Sequence, residues 1–290
     1  MRVLVQILIL LQLSGPVAGW AAWPESPDFK SWLEGFSGQL GTGSPAVQGC
    51  PGDPPGPARA TPAAASPLRA CLLELMGAEG DAIYESFMLR AKKRLAPETP
   101  GKPKRSGLYA RVVLPEGLDF EEYLAILFYT NEGYRPMNAA LRAGGQEADR
   151  ARGCTDTLNS ALDALPPASD ELVYRGADLP PEVVVMHSDG ARVRYPAFTS
   201  TSSDEPFSGR DQFVLLSQSG RNVSPYSDAP HEKEILFKAP TCFEVAERIP
   251  REDLASRKFE EPWSRMKKER LGAGEKWSNL YLMKEVSCED

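Results

Sequence analysis

Histidine is nearly absent: His187 and His231 are the two in a chain of 290 residues. The cysteines, Cys50, Cys71, Cys154, Cys242 and Cys288, form no Cys-x-x-Cys pair. Together these shortages disfavour a zinc site, which needs several nitrogen or sulfur ligands at close spacing, so no metal is expected. A Gly-x-Ser-x-Gly elbow is missing as well, and with so few histidines to act as base a serine hydrolase is disfavoured. There is no excess of cations: 33 Lys and Arg face 40 Asp and Glu, for a net charge of -7. A surface that tracks phosphates must cluster cations to release counterions, so nucleic acid is not expected as a partner. No repeat of fixed period appears, and no apolar run reaches the roughly 18 residues of a membrane span.

What is present divides the chain into parts. Met1-Arg2, the apolar run Val3 to Leu13, Ser14-Gly15-Pro16 and then Ala18-Gly19 follow the order of a secretory leader, so residues 1–19 are expected to be removed on export. The polar end, Lys284 to Asp290, lacks the hydrophobic tail of a lipid-anchor signal; a secreted, extracellular product without a stable membrane anchor is expected. In such a compartment disulfides persist, and five cysteines leave one over. Cys242 and Cys288 flank segments that read as strands and are the preferred pair. Trp20, Trp23, Phe29, Trp32, Leu33 and Phe36 suggest a short docking helix. Between Gly41 and Ala70 lie five Gly, seven Pro and seven Ala, too little apolar surface to offset ordering entropy. Residues 20–70 therefore read as an aromatic segment and linker, with the main domain at 71–290.

From Leu68 onward apolar residues recur at helical steps: Leu68, Leu72, Leu75 and Met76, then Ile83, Phe87, Ala91 and Leu95, with a break near Gly77 and Gly80. Asp119 and Glu122 form a capping-box pattern opening a helix through Tyr129, and Leu158, Ala161, Leu162 and Leu165 mark another that Pro166-Pro167 must stop. After Asp170 the period moves towards two. Leu172–Tyr174, Val183–Met186, Ala197–Thr201, Phe213–Ser217, Glu234–Phe237, Phe243–Ala246 and Leu280–Met283 read as strands. Helices followed by strands predict an α+β fold.

Chemistry concentrates in three segments of the strand-rich half: Val173-Tyr174-Arg175-Gly176, Thr199-Ser200-Thr201-Ser202 and His231-Glu232-Lys233-Glu234. Glu232 and Glu234, two positions apart at the head of an apolar strand, should share one face roughly 6–7 Å apart. Such a pair suits a glycosidic-type centre, with one carboxylate stabilising positive charge and the other handling a proton. Arg175 offers a permanently charged fork for phosphate or carboxylate, and Ser200 can hold a carboxylate in position.

Arg, then Ser-Thr-Ser, then Glu-x-Glu resembles the arginine-type mono-ADP-ribosyltransferases. The likeness extends to Tyr129, Tyr134, Asn138, Leu141 and Arg142, to the loop Ser219-Gly220-Arg221-Asn222-Val223-Ser224 with Tyr226, and to Phe243-Glu244-Val245. It implies NAD as substrate, no metal, and a protein presenting an arginine as partner, with the enzyme a monomer. It also implies a helical N-terminal portion packed on a two-sheet, mainly antiparallel core, with NAD between the sheets. By the same resemblance Arg175, with Gly176, would grip the NAD phosphates. Ser200 would orient Glu234, which would stabilise the cation as nicotinamide leaves; Glu232 would help the acceptor guanidinium lose its proton. Tyr129, Tyr134, Asn138 and Arg142 would line the dinucleotide cleft, Phe207 or Phe213 would face the nicotinamide, and an exposed Tyr226 would meet the acceptor. The missing tail and odd cysteine count favour the bacterial, toxin-like branch. Two other readings stay open: an NAD glycohydrolase on the same fold, and a secreted NAD-binding module without catalysis. Asn222-Val223-Ser224 is also an N-glycosylation sequon beside the acceptor loop.

Overall fold

Ser66 opens the first helix, α1 (Pro67–Met76), by accepting a bond from the Arg69 amide, and Pro67 stands at the first helical position, where a missing N–H costs nothing. The computed structural model describes residues 66–98, 110–169, 171–268, 271 and 277–289. The expected leader, the aromatic segment, most of the linker and Cys50 lie outside the described residues. Residues 67–70, expected in the linker, belong to α1, and Leu68 is buried there.

The helical half consists of α1, α2 (Gly80–Leu95), α3 (Phe120–Phe128), α4 (Tyr134–Ala143), α5 (Gly145–Arg150) and α6 (Arg152–Ala164). The expected break between α1 and α2 is a short 3-10 turn, Gly77–Glu79, and Gly80 begins α2 so close to α1 that an added Cβ would lie 2.3 Å from the Leu72 carbonyl oxygen. Both capping-box bonds form: Asp119 accepts from the Glu122 amide at 2.8 Å and Glu122 accepts from the Asp119 amide at 2.9 Å. Behind that cap every residue from Tyr123 to Phe128 is buried, as befits a helix enclosed on all sides. A π turn, Tyr129–Gly133, interrupts the ladder between α3 and α4. A disulfide between Cys71 and Cys154 joins α1 to α6 across 83 residues.

The strands are β1 (Leu172–Ala177), β2 (Arg192–Tyr195), β3 (Thr199–Ser202), β4 (Asp211–Leu216), β5 (Arg221–Asn222), β6 (Glu234–Phe237), β7 (Thr241–Pro250) and β8 (Asn279–Val286). They follow the order β2-β7-β8-β4-β1-β3-β6-β5, and β4 with β8 is the parallel pair in an otherwise antiparallel arrangement. The join between β1 and β3 is a single register pair, Tyr174 opposite Ser202. The sheet thus has a five-strand part and a three-strand part that meet along one narrow seam. Successive residues face opposite sides: Val173, Phe213 and Tyr281 enter one apolar cluster, Tyr174, Val214 and Leu282 another. Disulfide Cys242–Cys288 forms as expected and ties the start of β7 to the chain after β8.

Val183–Met186, expected as a strand, is instead the end of a helix, α7 (Pro181–Met186). Proline at its first position sets the helical start, and the buried residues, Val183 and His187, are spaced by four rather than two. Replacing Cys71 and Cys154 together by alanine removes a long loop closure from the unfolded chain. The double variant is expected to lose about 2–4 kcal/mol in urea unfolding while keeping its fold.

Candidate active site

The site opens where the ladder between β1 and β3 stops. Beyond the Tyr174–Ser202 pair the two strands diverge, and the Arg175 guanidinium spans the gap, donating to the Ser200 carbonyl at 2.7 Å. Arg175 is held below its ordinary pKa by burial, against the raising effect of Tyr195, Tyr129 and Glu234. Gly176 follows because the next loop crosses directly over it: an added Cβ would lie 1.6 Å from the Phe207 carbonyl oxygen. That crossing holds Phe207, half-buried, at the end of β1.

Glu234 opens β6 opposite Ser202 of β3, so Ser200, two residues along the same strand, is its diagonal neighbour on the same face. Glu234 is 4% exposed, and burial pushes its pKa from the ordinary 4.5 up to about 7. A hydrogen bond from the Ser200 side chain pulls it down, the Glu232 charge pushes it up, and Arg175 pulls it down. Behind Ser200 stands a chain of donors. Asn138 Nδ2 donates to the Tyr129 hydroxyl at 3.0 Å, and that hydroxyl lies 3.3 Å from Ser200 Oγ. Burial, then the Glu234 charge, pushes Tyr129 up to about 12, so the phenol keeps its proton. Since the Asn138 amide can only donate from nitrogen, the Tyr129 proton is available to Ser200 and the Ser200 proton to Glu234. The resulting order is Asn138, Tyr129, Ser200, Glu234. Asn138 Oδ1 is buried with no hydrogen-bond partner among the described residues, an acceptor left over inside the site.

Glu232 departs from expectation. It does not share a strand face with Glu234: it ends the 3-10 turn Pro230–Glu232, and Lys233 between them adopts a left-handed backbone with φ 49°. The chain turns at Lys233 before β6 begins. Glu232 is exposed at that turn, its pKa raised by partial desolvation and lowered by His231. Its backbone is braced by Ser202, whose hydroxyl donates to the Glu232 carbonyl at 2.8 Å, and by the Ser203 amide bonding the Lys233 carbonyl at 3.1 Å.

The remaining sequence candidates separate. Tyr134 is half-buried with its ring 6.4 Å from that of Tyr129, and the Arg135 guanidinium lies over it. Arg142 is held below its ordinary value by desolvation and then by the charge of Arg175, so the two cations share one region. Phe213 does not face the cleft. It is 1% exposed and stacks on Tyr281 at 4.9 Å, a core ring, because β4 is covered on both faces. Of the two aromatic candidates, Phe207 is the one with an accessible side. Tyr226 is likewise not free on its loop: it is half-buried against the helical core, 6.5 Å from the Tyr123 ring. Sequence reasoning missed Ser202 as a brace, although it stands within the quoted motif. It also missed Asp228, which Arg90, Arg94 and Asn131 hold from residues far away in sequence. Among the described residues no group of three or more His, Cys, Asp and Glu is placed to hold a metal ion, and no helix is long and apolar enough to cross a membrane.

Two measurements test this electrostatic arrangement. Ser200→Ala removes the hydrogen bond that favours the ionised form, so the Glu234 carboxyl, followed by carbon NMR, is expected to titrate about one unit higher. Tyr129→Phe should move it the same way by less. Because the folded-state pKa lies above the unfolded one, folding binds a proton between pH 4.5 and about 7, and stability falls as pH rises through that window. Glu234→Gln is therefore expected to be more stable than the parent at pH 8, by up to about 3 kcal/mol, with the difference vanishing below about pH 4.5.

A family model described as NAD:arginine ADP-ribosyltransferase matches residues 69–256. The Mav protein of Mycobacterium avium (strain 104) is 37% identical over 137 residues, covering 45% of this chain and 16% of that protein. Tre1 of Serratia proteamaculans (strain 568), named an NAD(+)–protein-arginine ADP-ribosyltransferase, is 33% identical over 122 residues, covering 42% and 27%. The chain thus matches less than a third of the length of either relative. The SpvB domain of Salmonella superposes with a TM-score of 0.50 at 19% identity, covering 58% of this chain and 100% of that one. The type III effector XopAI of Xanthomonas axonopodis pv. citri gives 0.51 at 16% identity, covering 79% and 90%; both share the fold. With more than half of its 290 residues matched to that family model, and with the Arg175, Ser200 and Glu234 side chains gathered at one seam, the chain belongs to the NAD:arginine ADP-ribosyltransferase family.

Proposed function

We propose that this chain transfers ADP-ribose from NAD to arginine side chains of a target protein and releases nicotinamide. The observation that carries the reading is Glu234: a buried carboxyl, near neutrality in pKa, hydrogen-bonded by the Ser200 side chain and within the field of Arg175, which is itself anchored on the Ser200 carbonyl. A carboxylate so placed stabilises positive charge that develops at the ribose carbon as its bond to the nicotinamide nitrogen breaks and the leaving ring takes the electron pair. Arg175 and Arg142, sharing one region, suit a diphosphate, whose charge relieves their mutual repulsion. The leftover acceptor Asn138 Oδ1 suits an N–H of the bound dinucleotide. Phe207 has the accessible ring for the nicotinamide.

Arginine, with a side-chain pKa above about 12, cannot attack until a base removes a proton. Glu232, exposed on the turn beside Glu234, takes that proton as a guanidinium nitrogen bonds to the ribose carbon. Residues 67–290 would form the catalytic domain, exported behind the leader 1–19 and acting outside the producing cell as a toxin-like enzyme. Its partner is a protein presenting an arginine, with no nucleic acid required.

Incubation with NAD and agmatine is expected to release nicotinamide and form an adduct, with kcat/KM for NAD rising through about pH 7 as Glu234 ionises. Folded protein that releases no nicotinamide would overturn the proposal. Glu232→Ala should lower transfer to agmatine by about 100-fold or more while leaving hydrolysis of NAD within about 10-fold. Equal loss of both would contradict the role given to Glu232, and a parent enzyme that hydrolyses NAD without forming adduct would be a glycohydrolase.

A further inference from the structure

The segment between β5 and β6 is closed at its neck on one atom: the Glu234 carbonyl accepts from the Val223 amide at 3.1 Å and from Ser224 Oγ at 3.3 Å. Loops of this kind are shaped by their own side chains and by what they are fastened to. Here the fastening is a buried ionic cluster. Asp228, its side chain 6% exposed, is paired with Arg90 and lies 3.1 Å from Arg94 Nη1. Arg94, 3% exposed, also donates to the Tyr226 carbonyl at 3.2 Å and the Ser227 carbonyl at 3.1 Å. Both arginines come from α2. Asn131 adds a third hold, its Nδ2 donating to Asp228 at 3.0 Å.

Burying two guanidiniums and a carboxylate is a poor way to gain stability alone, because desolvation offsets most of the attraction. What the cluster does achieve is geometric. Three main-chain or carboxylate groups of successive residues, Tyr226, Ser227 and Asp228, are fixed to a rigid helix by one planar fork. The end of that same loop is the turn that presents Glu232, already braced on the other side by Ser202. Asn131 stands two residues after Tyr129, so one π turn supports the loop through Asn131 and Glu234 through Tyr129 and Ser200.

We propose that Asp228, clamped by Arg90, Arg94 and Asn131, is a positioning residue that sets where Glu232 meets the acceptor arginine, without taking part in NAD cleavage. The inference rests on the function proposed above. Asp228→Asn keeps the shape and removes the charge; Asn131→Ala removes one hold and leaves the ion cluster intact. For Asp228→Asn the KM for agmatine is expected to rise at least 10-fold, and for Asn131→Ala about 3-fold. The KM for NAD and the rate of NAD hydrolysis should stay within about twofold of the parent, and hydrogen exchange should quicken in residues 224–232 and not in β6. Folded variants that keep the parental agmatine KM overturn the inference, as do variants in which hydrolysis and transfer fall in step. Should Asp228→Asn fail to fold, Asn131→Ala decides between these outcomes. A parent protein that cleaves no NAD rejects the proposed function and this inference with it, whereas an active parent with an unmoved agmatine KM rejects this inference alone.

Discussion

A carboxyl group taken out of water is the constraint around which the rest of the structure is arranged. Glu234 sits at the start of a strand whose residues are all buried, and burial, which solvates its charge poorly, pushes its pKa up to about 7. One donated hydrogen bond and one nearby guanidinium are not enough to return it to the usual range. That shortfall is destabilising above neutral pH, and it is also what makes the group useful. A carboxylate already well satisfied by fixed donors has little left to offer a developing cation, whereas one held in partial want of a partner gains most when positive charge appears beside it.

The two halves of the chain divide the work of supporting that group. The sheet supplies Arg175, Ser200 and Glu234, and the seam between β1 and β3 leaves room among them because only one residue pair closes it. The helices supply rigidity from behind. Tyr129 and Asn138, on the π turn and the helix after it, fix which way the Ser200 proton points. The capping box at Asp119 fixes the start of α3, which leads into Tyr129, by local bonds, and the disulfide between Cys71 and Cys154 ties α1 to α6 by a long closure. The deeply buried α3 supports the candidate site mechanically: its end decides where the tyrosine stands.

What could be read from the sequence follows the range of the interactions. The Asp119–Glu122 cap was legible because both of its bonds close within three residues. The strand at Glu234–Phe237 was legible because the short apolar run Ile235-Leu236-Phe237 between turn-forming segments leaves few alternatives. Val183–Met186 misled because β-branched residues favour strands when read singly, while the preceding prolines fix a helical start. Glu232 misled for a subtler reason. Strand periodicity was carried one turn too far, and the left-handed Lys233, which no glycine or asparagine announces, breaks the register between the two carboxylates. Phe213 and Tyr226 were placed by residue type, but burial is decided by neighbours hundreds of ångströms of extended chain could not reveal: Tyr281 for one, Tyr123 for the other. Asp228 sits in an ordinary turn sequence, and its partners Arg90 and Arg94 lie more than 130 residues upstream.

Breaking the strand between the two glutamates has a chemical consequence that a shared face would not provide. On one face of a strand both carboxyls would enter the same desolvated space, and each would raise the other's pKa until one of them stayed protonated. The turn at Lys233 instead leaves Glu234 enclosed and places Glu232 in an exposed position, where partial desolvation raises its pKa and His231 lowers it. For the proposed transfer, the buried group would answer the charge that forms inside the site, and the exposed one would take the proton of the acceptor. Because Ser202 spans the two, opposite Glu234 in the ladder and bonded to the Glu232 carbonyl, their separation is fixed by the backbone rather than by the side chains themselves.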